Sequence, residues 1–179
     1  MHSDTTLLLR NTLDKRIHKD VIELLSHHAN RDACLRNKLV RLVFDENQRI
    51  ANNATWVLTH CSKETLYNLE KRQHDFISRC LSTADTTQHR LLLTILSRQH
   101  PPKKLHSSLF NRCLDGIQDP SVAPGTQALY IRLAHQWSLY DKDLHQEFCH
   151  LINYMDTSLC SPAVLSAIQH INSSQASAE

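Results

Sequence analysis

Thirteen histidines and six cysteines are the side chains of this 179-residue chain best suited to chemistry. A zinc site wants four ligands, or three and a water, converging on one point. The best spacing is His145 with Cys149, four apart and so on one helical face, with His150 adjacent. No second pair lies nearby in sequence to complete a site, so no metal and no cofactor is expected. The cysteines (34, 61, 80, 113, 149 and 160) form no Cys-x-x-Cys pair. Most fall on the apolar faces of expected helices, where a thiol behaves as a small hydrophobe, and no disulfide framework is expected. With so many Cys and His a Cys–His dyad stays open, but no pair is singled out.

Four aspartates, Asp45, Asp85, Asp119 and Asp156, recur at intervals of 40, 34 and 37 residues. General acid–base work would need such carboxylates in a dry pocket. Each follows one expected helix and precedes another, which suits capping of a helix N-terminus instead. There is no Gly-x-Ser-x-Gly elbow. The only glycines are Gly116 and Gly125, too few for a phosphate-cradling loop or a dinucleotide fingerprint. No catalytic residue is expected, and the chain is read as a non-enzyme.

Few glycines and many Leu, Arg, Gln, Lys and Glu suit an all-α chain. Residues 3–13 are expected to form a first helix capped by Ser3 or Asp4. A second follows Asp14 over 14–28, with a stripe of Ile17, Val21, Ile22, Leu24 and Leu25. Outer helices are expected near 31–44, 66–82, 104–117 and 142–155. Inner helices are expected near 47–61, 86–99, 122–138 and 162–172. The clearest is the segment from Asp45 to Cys61, whose stripe is Ala54, Val57, Leu58 and Cys61. Such a stripe cannot bury itself, but stacked copies can bury one another's.

The copies align. Phe76-x-x-Arg79-Cys80-Leu81 matches Leu109-x-x-Arg112-Cys113-Leu114. Inner-helix offsets of 37 and 38 superpose Ala54, Leu91 and Leu129, and likewise Leu58, Ile95 and Leu133, as a buried stripe. A third row, Trp56, Leu93 and Ile131, is read as the surface on which neighbouring repeats stack. Two helices per 35–40 residues is the mark of an α-solenoid. Asp119-Pro120-Ser121-Val122 resembles the Asp-Pro-x-Val turn joining the two helices of a HEAT-type or armadillo-type repeat. Asp45 to Ile50, followed by Ala51, Ala54 and Leu58, resembles the same turn and its second helix. The copy at Asp85 departs from the pattern, with no Pro and with Leu91 where a small residue is usual. The layout is also similar to short bacterial HEAT-like repeat proteins. The resemblance implies a right-handed α-α superhelix of about four helix pairs with an N-terminal cap helix; it carries no chemistry. One such domain is expected over 1–172, with a flexible C-terminal tail over 173–179.

No run nears the roughly 20 apolar residues of a membrane span, and the N-terminus lacks the basic start and apolar core of a secretory signal. A cytoplasmic protein is expected. The net charge of +2 hides a gradient: residues 1–112 carry 18 Lys and Arg against 11 Asp and Glu, residues 113–179 only 2 against 7. Oppositely charged ends leave self-association open. The expected groove on the concave face comprises Arg49, Asn52, Asn53, His89, Arg90, Gln127 and Arg132, side chains suited to a protein or peptide partner. The alternative is a nucleic-acid binder, since HEAT-like stacks hold a duplex in some alkylpurine DNA glycosylases. Phosphates dominate such binding, yet most of the Lys and Arg here fall on outer helices.

Overall fold

Glycine and proline, the residues that most often end a helix, number two and five. The computed structural model describes the backbone of residues 2–176 and the side chains of residues 6–173. Among the described residues there is no strand and there are eleven α-helices: α1 (His2–Leu13), α2 (Lys19–Arg31), α3 (Ala33–Leu42), α4 (Gln48–Thr59), α5 (Lys63–Asn68), α6 (Gln73–Ser82), α7 (Thr86–Leu96), α8 (Ser107–Gln118), α9 (Pro124–Ser138), α10 (Lys142–Tyr154) and α11 (Pro162–Ala176). Single 3-10 turns lie at Glu70–Arg72 and Thr157–Leu159. The expected outer and inner helices are present as α3/α4, α5–α6/α7, α8/α9 and α10/α11. The chain divides into two compact units, Met1–Gln99 and His100–Glu179.

In the first unit α4 is the hub, packed against α1, α2, α3 and α7. Ala54, Val57 and Leu58 are wholly buried and Cys61 is 1% exposed, as the stripe requires. α7 packs on α4 and on α6, which explains why Leu91, Leu92, Leu93, Ile95 and Leu96 are all buried although they cover more than one face. In the stacking row, Leu93 is wholly buried and Trp56 half-buried. Three local expectations are corrected. The second helix starts at Lys19 rather than at Asp14, whose carboxylate instead accepts from Asn47 Nδ2 at 2.7 Å. Its buried face is Ile22, Ser26 and Ala29, with Leu24 left 58% exposed. The outer helix expected over 66–82 is interrupted at Glu70–Arg72.

In the second unit α9 is the hub, packed against α8, α10 and α11. Trp137, Leu133 and Ile131 on α9 and Phe148 on α10 are wholly buried, with Phe110 on α8 at 1%. Leu129, expected in the buried stripe, is only half-buried, and Ala128 is buried instead. Packing on three sides moves the apolar arc of α9 away from the simple alignment. Gly116 sits inside α8, where glycine weakens a helix. The ring of Tyr130 explains it: a Cβ at position 116 would lie 2.7 Å from Cδ2 and closer still to Cε2. α11 runs to Ala176, past the expected end at 172. As a further correction, α1 already includes Ser3 and Asp4, so neither stands before it as a cap. Residues 177–179 of the expected tail lie outside the described residues. No helix among those described is long and apolar enough to cross a membrane.

Candidate binding face of the inner helices

Every α-helix ends in carbonyls without an intrahelical partner. In the first unit the polar side chains of the inner helices fill that role for the preceding repeat. On α4, Asn53 Nδ2 donates to Leu13 O at 2.8 Å and Lys15 O at 3.2 Å, and Arg49 Nη1 donates to Asp14 O at 3.3 Å. On α7, Gln88 Nε2 donates to Val43 O at 2.9 Å. Just after α7, Arg98 donates to Thr59 O and, at 2.9 Å, to Cys61 O, while within its own repeat Gln99 Nε2 donates to Leu66 O on α5 at 3.0 Å. Asn52 Nδ2 reaches the Asp85 carboxylate at 3.2 Å while its own Oδ1 accepts from Gln48 at 2.8 Å.

The seven expected groove residues therefore separate by role. Arg49, Asn52 and Asn53 lie together on α4, but each is engaged in these ties between repeats. His89 is corrected outright: it is 7% exposed, its Nδ1 is 2.9 Å from Cys80 O and 3.5 Å from Cys80 Sγ, and it faces the core rather than a groove. It lies between Gln88 and Leu91, both buried on the face that α7 turns to its neighbours. Arg90 on the same helix is exposed, and its guanidinium has no partner among the described residues. In the second unit, Gln127 Nε2 donates to Asp119 O at 2.9 Å and closes the turn before α9. Arg132 on α9 is exposed and also has no partner among the described residues. Arg90 and Arg132 are the expected groove residues whose charged ends stay available to a ligand.

The recurring aspartates order turns, in more ways than one. Asp85 is the N-cap of α7, accepting from Gln88 N at 2.7 Å. Asp45 accepts from Asn47 N at 2.9 Å, and Asn47 itself caps α4. Asp119 accepts from Ser121 N at 2.8 Å, and α9 starts five residues later at Pro124. Asp156 caps the 3-10 turn by accepting from Ser158 N at 3.0 Å. Asp45 also binds the Arg10 guanidinium through both carboxylate oxygens, at 2.9 and 3.1 Å. That contact is the main reason its carboxyl lies below the ordinary range. Hydrogen bonds from Ser121 and Ser158 lower Asp119 and Asp156 in the same sense.

Cysteine burial is mixed. Cys61, Cys80 and Cys113 are in the core, Cys149 and Cys160 are half-buried, and Cys34 is exposed. Burial pushes the Cys61 thiol up to about 11, which makes it a poor nucleophile. Cys149 Sγ lies 3.6 Å from His145 Nε2, the contact that their spacing of four allows, and His145 Nδ1 is 3.1 Å from Ser138 Oγ. Among the described residues, no group of three or more His, Cys, Asp or Glu side chains is placed to hold a metal ion.

Sequence reasoning passed over Gln88. Its one local signal is its place three residues after the Asp85 cap, the position where Gln or Glu recurs at helix starts. Its contacts to Gln48 and Val43, 40 and 45 residues away, leave no local trace.

No curated protein and no solved structure matches the chain. A family model described as a HEAT repeat domain matches residues 9–175. It spans α2 through α10 and nearly all of the last helix, the same elements in which paired helices recur around α4 and α9. The chain belongs to the HEAT repeat domain family.

Proposed function

We propose that the chain is a non-catalytic binding or scaffolding module whose partner is a protein or peptide. The observation that carries this reading is the sparseness of available cations on the inner helices. Arg49 is engaged with a backbone carbonyl, while Arg90 in the first unit and Arg132 in the second are exposed without a partner among the described residues. A duplex is held chiefly by many phosphate contacts, whereas a protein surface is recognised by a few anchoring side chains within a polar surround, arginine prominent among them.

Anisotropy with a labelled duplex tests the choice. At micromolar protein and about 0.15 M salt, where exposed charges are screened beyond roughly 8 Å, no binding is expected, and replacing Arg49 and Arg90 together by Ala should change nothing. In parallel, partners captured from a native lysate on the immobilised chain should be depleted by Arg90→Ala or Arg132→Ala. Duplex binding that persists at that salt and is abolished by the double substitution would overturn the reading in favour of a nucleic-acid groove.

A further inference from the structure

A groove of about 560 Å³ opens on the outer side of the first unit, lined by Phe44 beyond the end of α3 and by Arg72, Asp75, Ser78, Arg79 and Ser82. Asp75, Ser78, Arg79 and Ser82 are spaced i, i+3, i+4 and i+7, so they form one face of α6. Three features suggest what this face would take.

The first is a fixed arginine. Arg79 Nε donates at 2.9 Å to Oε1 of Gln88, an amide with no exposed surface. Gln88 is itself held by Thr83 Oγ1 at 3.1 Å and by its own bond to Val43 O. With Nε anchored, the two Nη nitrogens of Arg79 meet no protein acceptor among the described residues. A guanidinium held this way loses little freedom on binding and offers a planar pair of donors matched to two oxygens.

The second is charge. Arg72 is paired with Asp75, so the two arginines and one aspartate of the lining leave one surplus positive charge, at Arg79. One positive charge complements one monoanion. A phosphodiester chain requires cations repeated along its track, and the groove has only this one to spare.

The third is an apolar platform. Phe44 is 36% exposed, and its ring lies parallel to that of Phe76, with centroids 6.4 Å apart and planes 3° apart. Phe76 is wholly buried, so Phe44 packs beside a rigid ring, and Phe44 itself lines the groove. Ser78 and Ser82 add hydroxyl oxygens with lone pairs for peptide N–H groups.

We propose that this groove is a docking site for an acidic peptide segment of a protein partner, its side-chain carboxylate on the fork of Arg79 and a nearby apolar side chain on Phe44. The site is separate from the inner-helix face, and either can stand without the other. In an extended peptide, side chains two residues apart project on the same side. The minimal ligand is therefore an apolar residue, a spacer and an acid.

The test is a titration of the 15N-labelled full chain with N-acetyl-Phe-Gly-Glu amide at low-millimolar concentrations, followed by amide chemical shifts. Saturable shifts are expected at Phe44, Ser78, Arg79 and Ser82. Affinity should fall by about tenfold or more for the Phe-Gly-Gln probe and for Arg79→Lys, which keeps the charge and loses the fork, because charge-assisted paired bonds exceed neutral ones by about that much. Phe44→Ser should weaken the Phe probe and leave an Ala-Gly-Glu probe unchanged. Arg90→Ala, on the inner face, should have no effect. Equal binding of the Glu and Gln probes, or shifts that are absent or lie elsewhere while the spectrum stays that of a folded chain, would overturn the proposal. So would a phosphoserine probe that binds more than about tenfold tighter than the Glu probe, since the groove would then be a phosphoryl site.

Discussion

Replacing Gln88 by Leu tests the reading that polar side chains bind successive repeats of the first unit together. The amide is completely buried and makes four side-chain hydrogen bonds: from Arg79, Thr83 and Gln48 to Oε1, and from Nε2 to Val43 O. The bond from Gln48, at 3.3 Å, is the longest and contributes least. Arg79 is half-buried and can turn to water, so its charge adds nothing further; taking the three shorter bonds at about 1 kcal/mol net each gives about 3 kcal/mol. The carbonyl of Val43, left without this donor in a buried setting, adds about 1–3 kcal/mol. The apolar side chain of Leu returns about 1–2 kcal/mol by burial. The net expectation is a loss of about 3 kcal/mol. In urea denaturation followed by circular dichroism, that lowers the midpoint by about 1–3 M at the slopes usual for small proteins. A loss below about 1 kcal/mol, within the range of an unremarkable surface change, would refute the claim that these bonds hold α7 to α6 and, through Val43 and Gln48, to the preceding repeat.

Three further outcomes follow from particular contacts. Gly116→Ala should destabilise the chain, although Ala is worth up to about 1 kcal/mol over Gly in a helix, because the new methyl meets the Tyr130 ring. Thermal melts read the sign, and a chain already carrying Tyr130→Ala should tolerate the same change at Gly116; a higher melting temperature for Gly116→Ala alone would count against the clash. His135 is held below the ordinary imidazole value by burial first and by His145 and His170 next. The fold thus favours the neutral ring: its contribution is intact above the unfolded value near 6.5 and is lost as pH falls through that value toward the lower folded one. The slope of stability between about pH 7 and 5 should be shallower in His135→Gln than in wild type; equal slopes would sink the assignment. Under native conditions a thiol reagent should label Cys34 fastest and leave Cys61 unlabelled until the chain unfolds, since one is exposed and the other is buried with its thiol raised to about 11. Mass spectrometry of partly labelled protein reads the order.

Much of the architecture was legible because helix packing leaves a periodic trace. The Ala54–Val57–Leu58–Cys61 stripe is a local pattern, and all four residues are buried. The repeat of paired helices was legible for the same reason; of the four aspartates expected to cap helices, Asp85 caps α7 and Asp156 a 3-10 turn, whereas Asn47 caps α4 and α9 has no side-chain cap. The stripe failed at Leu129, where contact on three sides of α9 rather than sequence alignment sets which residues are covered.

The groove residues were much less legible. Arg49, Asn52, Asn53, Arg90 and His89 are all polar at inner-helix positions, and periodicity puts them in one class. Tertiary contacts divide them: Asn53 closes the end of α1, His89 turns into the core against Cys80, and Arg90 remains in solvent. Likewise no local pattern joins Phe44 to Arg79, or anchors Arg79 through Gln88 to Val43. Sequence determined most of the helices, their pairing and the buried stripe of α4, because those depend on spacings of three and four along one segment. Tertiary structure decided which polar side chains are used up in holding repeats together and which are left for a partner, because a hydrogen bond between residues 40 apart depends on where two helices meet.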